Sequence, residues 1–172
     1  MKNTVDGNYR IVKNIGEGTY SSVFKAIDQR TNTVVALKRV KIRRADDGIP
    51  KEFVREVETV QRFDHPNIIK ISEVFVGKAN INLVYEYCEC DLEKLMNEAM
   101  VRPFTLRQIQ LLLRQIVAAL DQLHRCPRNG NESDFATIMH RDVKPSNIFF
   151  KLSADGATCQ VKLADFGQAR VI

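Results

Sequence analysis

The 172-residue sequence predicts an α+β fold, with strands concentrated in the first half and helices becoming prominent later. The run TVVALKRV at Thr33–Val40 is rich in β-branched residues, and the apolar segment Ile81–Tyr87 predicts a second strand. By contrast, Pro50–Phe63 and Thr105–His124 carry apolar residues at helical spacing.

Both predicted long helices have recognisable signals. In the first, Phe53, Val57 and Val60 share a face, and Pro50 suits the first turn. The second begins with a predicted capping box formed by Thr105 and Gln108. Its apolar stripe consists of Leu106, Ile109, Leu113, Ile116, Leu120 and Leu123. Between the two, DLEKLMNEAM predicts a short amphipathic helix.

Composition indicates a soluble globular protein in the cytoplasm, the nucleus or both. The chain is 44% hydrophobic, with no run of 18 apolar residues, no signal-peptide pattern and no internal repeat, so we expect no membrane partner. Four cysteines without disulfide-like spacing suit a reducing compartment, and Cys88 and Cys90 are interpreted as ordinary thiols. The net charge of +5 would suit a nucleic-acid partner. However, aromatic residues do not alternate with the basic ones as they do in proteins that bind single strands, so we expect no such partner.

A glycine-rich hairpin is predicted at IGEGTYSSVF, Ile15–Phe24. Gly16 and Gly18 would let backbone NH groups approach phosphate oxygens without a Cβ in the way. Ser21 stands where such loops usually have a third glycine. Taken alone, the segment is more often an ordinary hairpin turn, so its meaning depends on motifs further along the chain.

A lysine and a glutamate form the next candidate pair. In the strand Thr33–Val40, Val34, Ala36 and Lys38 project from one face, so a small residue can cover an adenine while the lysine, about 7 Å further on, reaches phosphates. Glu56 lies beside the apolar stripe of the first helix, where it can meet Lys38. A solvated charge run and a surface glutamate are the alternatives for the two residues.

The most specific motif is HRDVKPSN, His140–Asn147, followed by ADFG at Ala164–Gly167. It supplies an aspartate for proton acceptance (Asp142), a lysine for phosphate contact (Lys144) and two metal ligands (Asn147 and Asp165). We expect His140 to pack against Phe166, Val60 and Ile71 as a structural residue instead of acting as a base. This set in this order is typical of phosphoryl transfer.

Together these motifs resemble those of protein kinases, and more narrowly those of the cyclin-dependent kinase group. The narrower resemblance rests on GEGTY, PKEFVRE, LVYEYCECDL and DFGQAR, the last with Gln168 where leucine is usual. It covers residues 9–172. It implies a bilobal fold with a small lobe of antiparallel sheet and one regulatory helix (9–87), then the hinge and the start of a helical large lobe (88–172).

The resemblance implies ATP-dependent phosphorylation of serine or threonine hydroxyls in proteins, with Mg²⁺. Within this resemblance, Lys144, two residues after Asp142, indicates specificity for serine and threonine over tyrosine. The implied catalytic residues are Asp142, Lys144, Lys38 and Glu56, and the implied metal ligands are Asn147 and Asp165. Tyr85 would stand at the back of the nucleotide pocket. The implied nucleotide-binding residues are Ile15, Gly16, Glu17, Gly18, Val23, Ala36, Lys38, Glu86, Cys88, Asp91 and Phe149.

Regulation and partners follow from the same resemblance. The helix Pro50–Phe63 would contact a cyclin, with Phe53 and Arg55 as the residues to test. Thr19 and Tyr20 match an inhibitory phosphorylation pair, where added phosphate would repel the ATP phosphates. A turn threonine and a packing tyrosine are the alternative.

Three segments depart from the family pattern. Arg125–Thr137 and KLSADGATCQ are longer than usual, and their polar composition predicts surface loops. Phe149 falls where the family has an aliphatic residue under the adenine, which predicts a tighter pocket.

The sequence ends five residues after Gly167, whereas the resemblance would continue with an activation segment and more of the large lobe. In that segment Arg141 would find a phosphate to bind. We therefore expect an incomplete domain that is a poor kinase by itself, with part of the helix Thr105–His124 left uncovered. The alternative function is a non-catalytic module that binds nucleotide or a cyclin as a decoy.

Overall fold

A computed structural model describes residues 4–18, 21–42, 50–77, 80–98, 103–128, 131–153, 155–156 and 158–172. The chain forms two compact units. The first comprises Met1–Pro50 and Lys70–Tyr87, and the second comprises Lys51–Ile69 and Cys88–Ile172. Thr19 and Tyr20, the predicted phosphorylation pair, lie outside the described residues.

The first unit is a six-stranded antiparallel sheet with the order β1-β2-β3-β4-β6-β5. Its strands are β1 (Thr4–Val5), β2 (Tyr9–Glu17), β3 (Ser21–Asp28), β4 (Thr33–Lys41), β5 (Ile71–Val76) and β6 (Asn80–Glu86). The strands predicted at Thr33–Val40 and Ile81–Tyr87 are confirmed within one residue at each end.

Strand alternation places the core of this unit on one face of the sheet. Val35 and Leu37 on β4 are buried with Tyr9, Ala26 and Val84. The residues between them in β4 therefore point to the opposite face, as predicted for Ala36 and Lys38. β3 and β4 pair without a register shift from Ser21↔Val40 to Asp28↔Thr33, which gives this face a regular geometry.

The second unit contains all three helices of the described residues and several short strands. Its helices are α1 (Lys51–Val60), α2 (Leu92–Glu98) and α3 (Leu106–His124). Its strands are β7 (Cys90–Asp91), β8 (Cys126–Arg128), β9 (Asn131–Ala136), β10 (Ile138–Met139), β11 (Ile148–Leu152), β12 (Cys159–Leu163) and β13 (Arg170–Val171). Short 3₁₀ turns occupy Pro145–Asn147 and Phe166–Gln168. No helix within the described residues has the length and apolar character needed to cross a lipid bilayer.

Helix α1 ends three residues earlier than predicted. After Val60 the backbone tightens, because Arg62 N donates to Thr59 O and Phe63 N donates to Val60 O, each a three-residue step. The helix packs against the 3₁₀ turn Phe166–Gln168, which is why it groups with the second unit. The predicted lobe division at residues 87 and 88 stays a prediction.

Helix α3 is present as predicted and carries the capping box of Thr105 and Gln108. Its apolar stripe is only partly covered, because Ile116 and Leu123 are buried whereas Leu106 and Leu113 are 72% and 52% exposed. Val117 is 60% exposed beside them. The buried and uncovered parts of the helix thus form adjoining apolar strips.

The longer of the two inserted segments is not a loop throughout, which corrects the prediction for Arg125–Thr137. Within it β8 and β9 pair as an antiparallel hairpin, from Cys126↔Ala136 to Arg128↔Asn131. Cys126 and Ala136, the first pair of this hairpin, are both buried. In the second inserted segment, β11 extends to Leu152 and β12 resumes at Cys159.

Candidate active site

Three residues of the predicted catalytic loop, Asp142, Lys144 and Asn147, lie together in the second unit. One oxygen of the Asp142 carboxylate, Oδ2, accepts hydrogen bonds from Lys144 Nζ at 2.7 Å and from Asn147 Nδ2 at 2.9 Å. Asn147 Nδ2 also bonds the Asp142 backbone oxygen at 2.9 Å. The 3₁₀ turn Pro145–Asn147 bends the chain back so that residues five positions apart meet.

The hydrogen bonds keep Asp142 ionised. Lys144 and then Asn147 lower the pKa of Asp142 below its usual value, while partial burial acts in the opposite direction. The bond to Asp142 in turn raises the pKa of Lys144. At neutral pH the site therefore presents a carboxylate that can accept a proton and an ammonium group beside it.

His140 is a structural residue of this loop. It is buried, and its ring packs edge-on against Phe166 with centroids 4.7 Å apart, as predicted for this pair. Its Nε2 lies 3.0 Å from Ala164 O, and its Nδ1 accepts from Asp142 N at 3.3 Å. Burial lowers the pKa of His140, so the ring stays neutral and aligns the backbone that carries Asp142.

The second predicted metal ligand, Asp165, is held by an unusual backbone conformation. Its φ of 63° and ψ of 71° lie in the left-handed region, which is uncommon for a residue with a side chain. The next residue, Phe166, is fully buried and fixes the turn, whereas Asp165 itself is exposed. The geometry therefore directs an acidic side chain outward from a buried anchor.

Oxygen donors suited to Mg²⁺ are present. Both side-chain bonds of Asn147 to Asp142 use its nitrogen, so its oxygen is the atom that can bind a cation, and Asp165 supplies a carboxylate. Within the described ranges no group of three or more His, Cys, Asp or Glu side chains could hold a metal ion unaided. This donor set fits Mg²⁺, which commonly takes one or two carboxylates and completes its shell with water and phosphate oxygens.

Helix α1 meets the turn that follows Asp165. Arg55 Nη1 donates to Gly167 O at 2.6 Å, and Glu56 is 5% exposed. A Cβ on Gly167 would lie 3.4 Å from Asp165 Oδ1 and 3.6 Å from Glu52 Cβ, which are ordinary contact distances, so α1 packs close to this turn without requiring a glycine there. Phe53, proposed from sequence as a partner contact, is 8% exposed and therefore buried in the chain itself.

Two other arginines act electrostatically on Arg170, near the end of the described chain. Partial burial, Arg55 and Arg141 together lower the pKa of Arg170. Positive charges that act on one another in this way are stabilised when an anionic group is nearby. The sequence singled out Arg141 for such a role but gave no local signal that Arg55 and Arg170 would lie nearby.

Asp91 and Phe149 are neighbours in the three-stranded sheet β7-β11-β12. Phe149 pairs with Asp91 on one side and with Lys162 on the other. Asp91 is largely buried, and its two oxygens bind Lys94, through N at 2.8 Å and Nζ at 3.0 Å. A ribose contact by Asp91 would therefore share a carboxylate that already caps α2.

The first unit holds the remaining predicted site residues. Ile15, Gly16 and Glu17 are in β2, and Gly18 N donates to Ser21 O at 2.7 Å, which closes the hairpin. Val23 pairs with Lys38, and Ala36 pairs with Tyr85. These cross-strand pairs place an apolar residue beside Lys38 and beside Ala36. The ion pair of Lys38 with Glu56 stays a prediction.

The hinge segment carries features that sequence alone did not predict. The Glu86 side chain accepts from Lys70 N at 2.9 Å, so its carboxylate fastens β6 to the start of β5 while its backbone remains the predicted contact. Lys25 Nζ lies 4.3 Å above the Tyr87 ring. Cys88 is half-buried, and burial raises the pKa of the Cys90 and Cys159 thiols, which makes these two poor nucleophiles.

Comparison with known proteins identifies the family. The family described as protein kinase domain matches residues 9–172. Cyclin-dependent kinase 10 of Rattus norvegicus is 42% identical over 91% of this chain and 40% of its own length. CTD kinase subunit alpha of Schizosaccharomyces pombe is 38% identical over 94% of the chain, and cell division control protein 2 homolog 3 of Trypanosoma brucei brucei is 37% identical over 91%. The chain spans 25% and 45% of the lengths of these last two.

Proposed function

Because this chain belongs to the protein kinase domain family, we propose that it transfers the γ-phosphoryl group of ATP to serine or threonine hydroxyls of a protein substrate. The observation that carries the proposal is the convergence of Lys144 and Asn147 on one oxygen of an ionised Asp142. Such an arrangement supplies a proton acceptor, a cation and a metal-ligand oxygen within one short loop.

In the proposed reaction, Asp142 orients the substrate hydroxyl and accepts its proton as the oxygen bonds to phosphorus. Lys144 contacts the transferring phosphoryl group and offsets its charge. Adenosine diphosphate leaves with the electrons of the broken phosphorus–oxygen bond. Because the transition state is loose, these residues act mainly by positioning and charge stabilisation.

Nucleotide binding would use residues of both units. Gly16 and Gly18 would present backbone NH groups to phosphates, and Lys38, held by Glu56, would contact the α and β phosphates. Asn147 and Asp165 would hold Mg²⁺, which when bound neutralises phosphate charge. The adenine contacts would come from the backbone of Glu86 and Cys88 and from the predicted residues Ile15, Glu17, Val23, Ala36, Asp91 and Phe149.

A cyclin partner and a cytoplasmic or nuclear location belong to the same proposal. On α1, Phe53 is buried and Arg55 binds Gly167, so substituting either would disturb the unit itself. Val54 is 37% exposed on the same helix and offers a cleaner test. Val54→Asp should abolish cyclin co-purification, whereas Val12→Asp, at a 47% exposed valine of β2, should not. Retained binding by Val54→Asp would place the contact elsewhere.

The catalytic proposal is tested with Asp142→Asn in the longest form of the protein that can be purified. Loss of the proton acceptor should lower phosphoryl transfer by about 10²–10⁴-fold, because that is the usual contribution of general acid–base catalysis. Mg-ATP affinity should stay within a factor of about two to three, the ordinary scatter of such measurements. Asp121→Asn, at an exposed carboxylate of α3 that pairs with Arg125, is the matched control.

The outcomes separate the two functions considered. Transfer that survives Asp142→Asn would remove this residue from the mechanism. Nucleotide or cyclin binding without transfer, in the wild type as well as the variant, would favour the non-catalytic decoy module. Peptides with serine, threonine or tyrosine as the only acceptor would decide the substrate class.

A further inference from the structure

A polar cluster in the first unit lies apart from every residue assigned to the proposed reaction. It consists of Tyr9, Asp28, Arg30 and Glu73, hereafter the root clamp. Arg30 Nη2 donates to Asp28 Oδ2 at 2.8 Å, to Glu73 Oε2 at 2.7 Å and to the Tyr9 hydroxyl. The Tyr9 hydroxyl donates to Glu73 Oε2 at 2.5 Å.

The root clamp is built around a buried ring. Tyr9 is 1% exposed, its ring stacks on Phe75 with centroids 5.6 Å apart, and the Arg30 guanidinium lies 5.1 Å from the Tyr9 ring centroid. Asp28 is also buried, and Arg30 binds it through Nε and the backbone N as well. Arg30 itself is 45% exposed, and its bonds to the two carboxylates are charge-assisted, which makes them stronger than bonds between neutral groups.

The clamp joins strands that are not neighbours. Tyr9 begins β2 and Glu73 lies in β5, and the strand order places β3, β4 and β6 between them. A direct bond between their side chains therefore requires the sheet to curl, so that the start of β2 approaches β5. Arg30 lies in the turn that follows β3, and its bond to Glu73 links the end of β3 to β5 as well.

Beyond this root the hairpin becomes irregular. The pairing of β2 with β3 shifts register twice, between Ile11 and Lys13 and again between Asn14 and Gly16. The pairing of β3 with β4 has no shift. Extra residues in one strand bend it locally, so β2 is divided into a fixed root and a section that can bend before Gly16.

We propose that the root clamp fixes the origin of the β2–β3 hairpin, so that the hairpin adjusts to a nucleotide by bending at its two irregular pairs. The residues of the clamp are then positioning residues, which act on phosphate binding through Gly16 and Gly18. The effect on nucleotide binding rests on the proposed function. The division of β2 into a fixed section and a section that can bend does not.

The test compares Arg30→Met with Arg10→Met in the purified protein. Arg30→Met keeps the length of the side chain but removes its charge and its bonds, and Arg10 is an exposed arginine of β2 outside the clamp. Amide hydrogen exchange in residues 9–12 should accelerate about tenfold or more in Arg30→Met, because several charge-assisted bonds that close this region are lost. In Arg30→Met, the exchange rates in β4, β6 and α3 should match those of the wild type. In Arg10→Met, the rates of all residues should do so.

A nucleotide titration gives the second readout. Arg30→Met should weaken Mg-ATP binding several-fold, and Arg10→Met should not. If the wild type binds no nucleotide, the proposed function fails, and hydrogen exchange still decides the clamp. The clamp proposal is wrong if residues 9–12 of Arg30→Met exchange their amide hydrogens at the wild-type rate. It is also wrong if exchange accelerates evenly over the whole sheet. Should Arg30→Met fail to fold, Glu73→Gln and Tyr9→Phe are judged by the same readouts.

Discussion

Asn67 should be one of the most costly residues to replace in the second unit. It follows α1, is 8% exposed, and its Nδ2 donates to Gln115 Oε1 at 2.8 Å and to Val161 O at 2.9 Å. Gln115 Oε1 also accepts from Val161 N at 2.9 Å. The backbone of Asn67 adds a bond from Leu163 N at 2.8 Å. One buried amide thereby ties the segment after α1 to both α3 and β12.

The perturbation is Asn67→Leu, which keeps the approximate shape but removes two donors. Each lost bond costs about 0.5–1.5 kcal/mol net, and a buried acceptor left without its donor costs about 1–3 kcal/mol, so we expect about 2–4 kcal/mol in all. That is a large share of the roughly 5–15 kcal/mol that stabilises an ordinary domain. Asn67→Asp should cost more, because a carboxylate would face two oxygen acceptors.

The assay is urea unfolding followed by the helical circular dichroism signal. All helices of the described chain belong to the second unit, so this signal reports on that unit. With a urea dependence of about 1–3 kcal/mol per molar, the midpoint should fall by about 1–2 M. Asn97→Leu, at an exposed asparagine of α2, is the control and should change stability by no more than about 0.5 kcal/mol.

A double-mutant cycle with Gln115→Leu sharpens the test. Because the two amides share one network, their combined effect should be smaller than the sum of the single effects, with a coupling of about 0.5–3 kcal/mol. Full additivity, or a midpoint for Asn67→Leu equal to that of Asn97→Leu, would show that the network does not hold α1 in place.

Three further predictions concern His140 and α3. Burial lowers the pKa of His140, so below about pH 6.5, the ordinary histidine pKa, the unfolded chain binds more protons than the folded one and stability should fall as the pH drops. His140→Gln should reduce this slope in unfolding experiments at several pH values, and an unchanged slope would assign it to other groups such as His65. Leu123→Ala should lower the unfolding free energy by about 2–5 kcal/mol because Leu123 is fully buried, whereas Leu113→Ala should change it little in this chain; equal losses would contradict the observed burial. The exposed apolar residues of α3 should cause the chain to self-associate, which light scattering would detect. The double variant Leu113→Gln with Val117→Gln should reduce this association, and association that persists would show that another surface causes it.

Much of the fold could be predicted from the sequence because its signals are local. Alternation in Thr33–Val40 predicts β4 and the face of Lys38, since side chains in a strand change sides at each residue. The capping box of Thr105 and Gln108 predicts the start of α3, because its bonds span only three residues. The motif His140–Asn147 likewise brings Asp142, Lys144 and Asn147 together within one turn.

The hairpin of β8 and β9 shows where local signals fail. Its segment is polar and rich in turn-forming residues, which predicts a loop, yet backbone pairing depends on the register of two strands and hardly on their composition. The early end of α1 is a similar case, because its last turn tightens towards a segment fixed by Asn67 and β12.

The sequence by itself determined the family, the catalytic-loop geometry and the order of the main elements, because these depend on residues close together in the chain. Only the tertiary structure decided which face of α3 is covered, that Phe53 is buried, and that Tyr9, Arg30 and Glu73 meet. Residues 9 and 73 carry no shared local pattern. Their contact arises from the curl of a six-stranded sheet, which every strand of that sheet contributes to and none specifies alone.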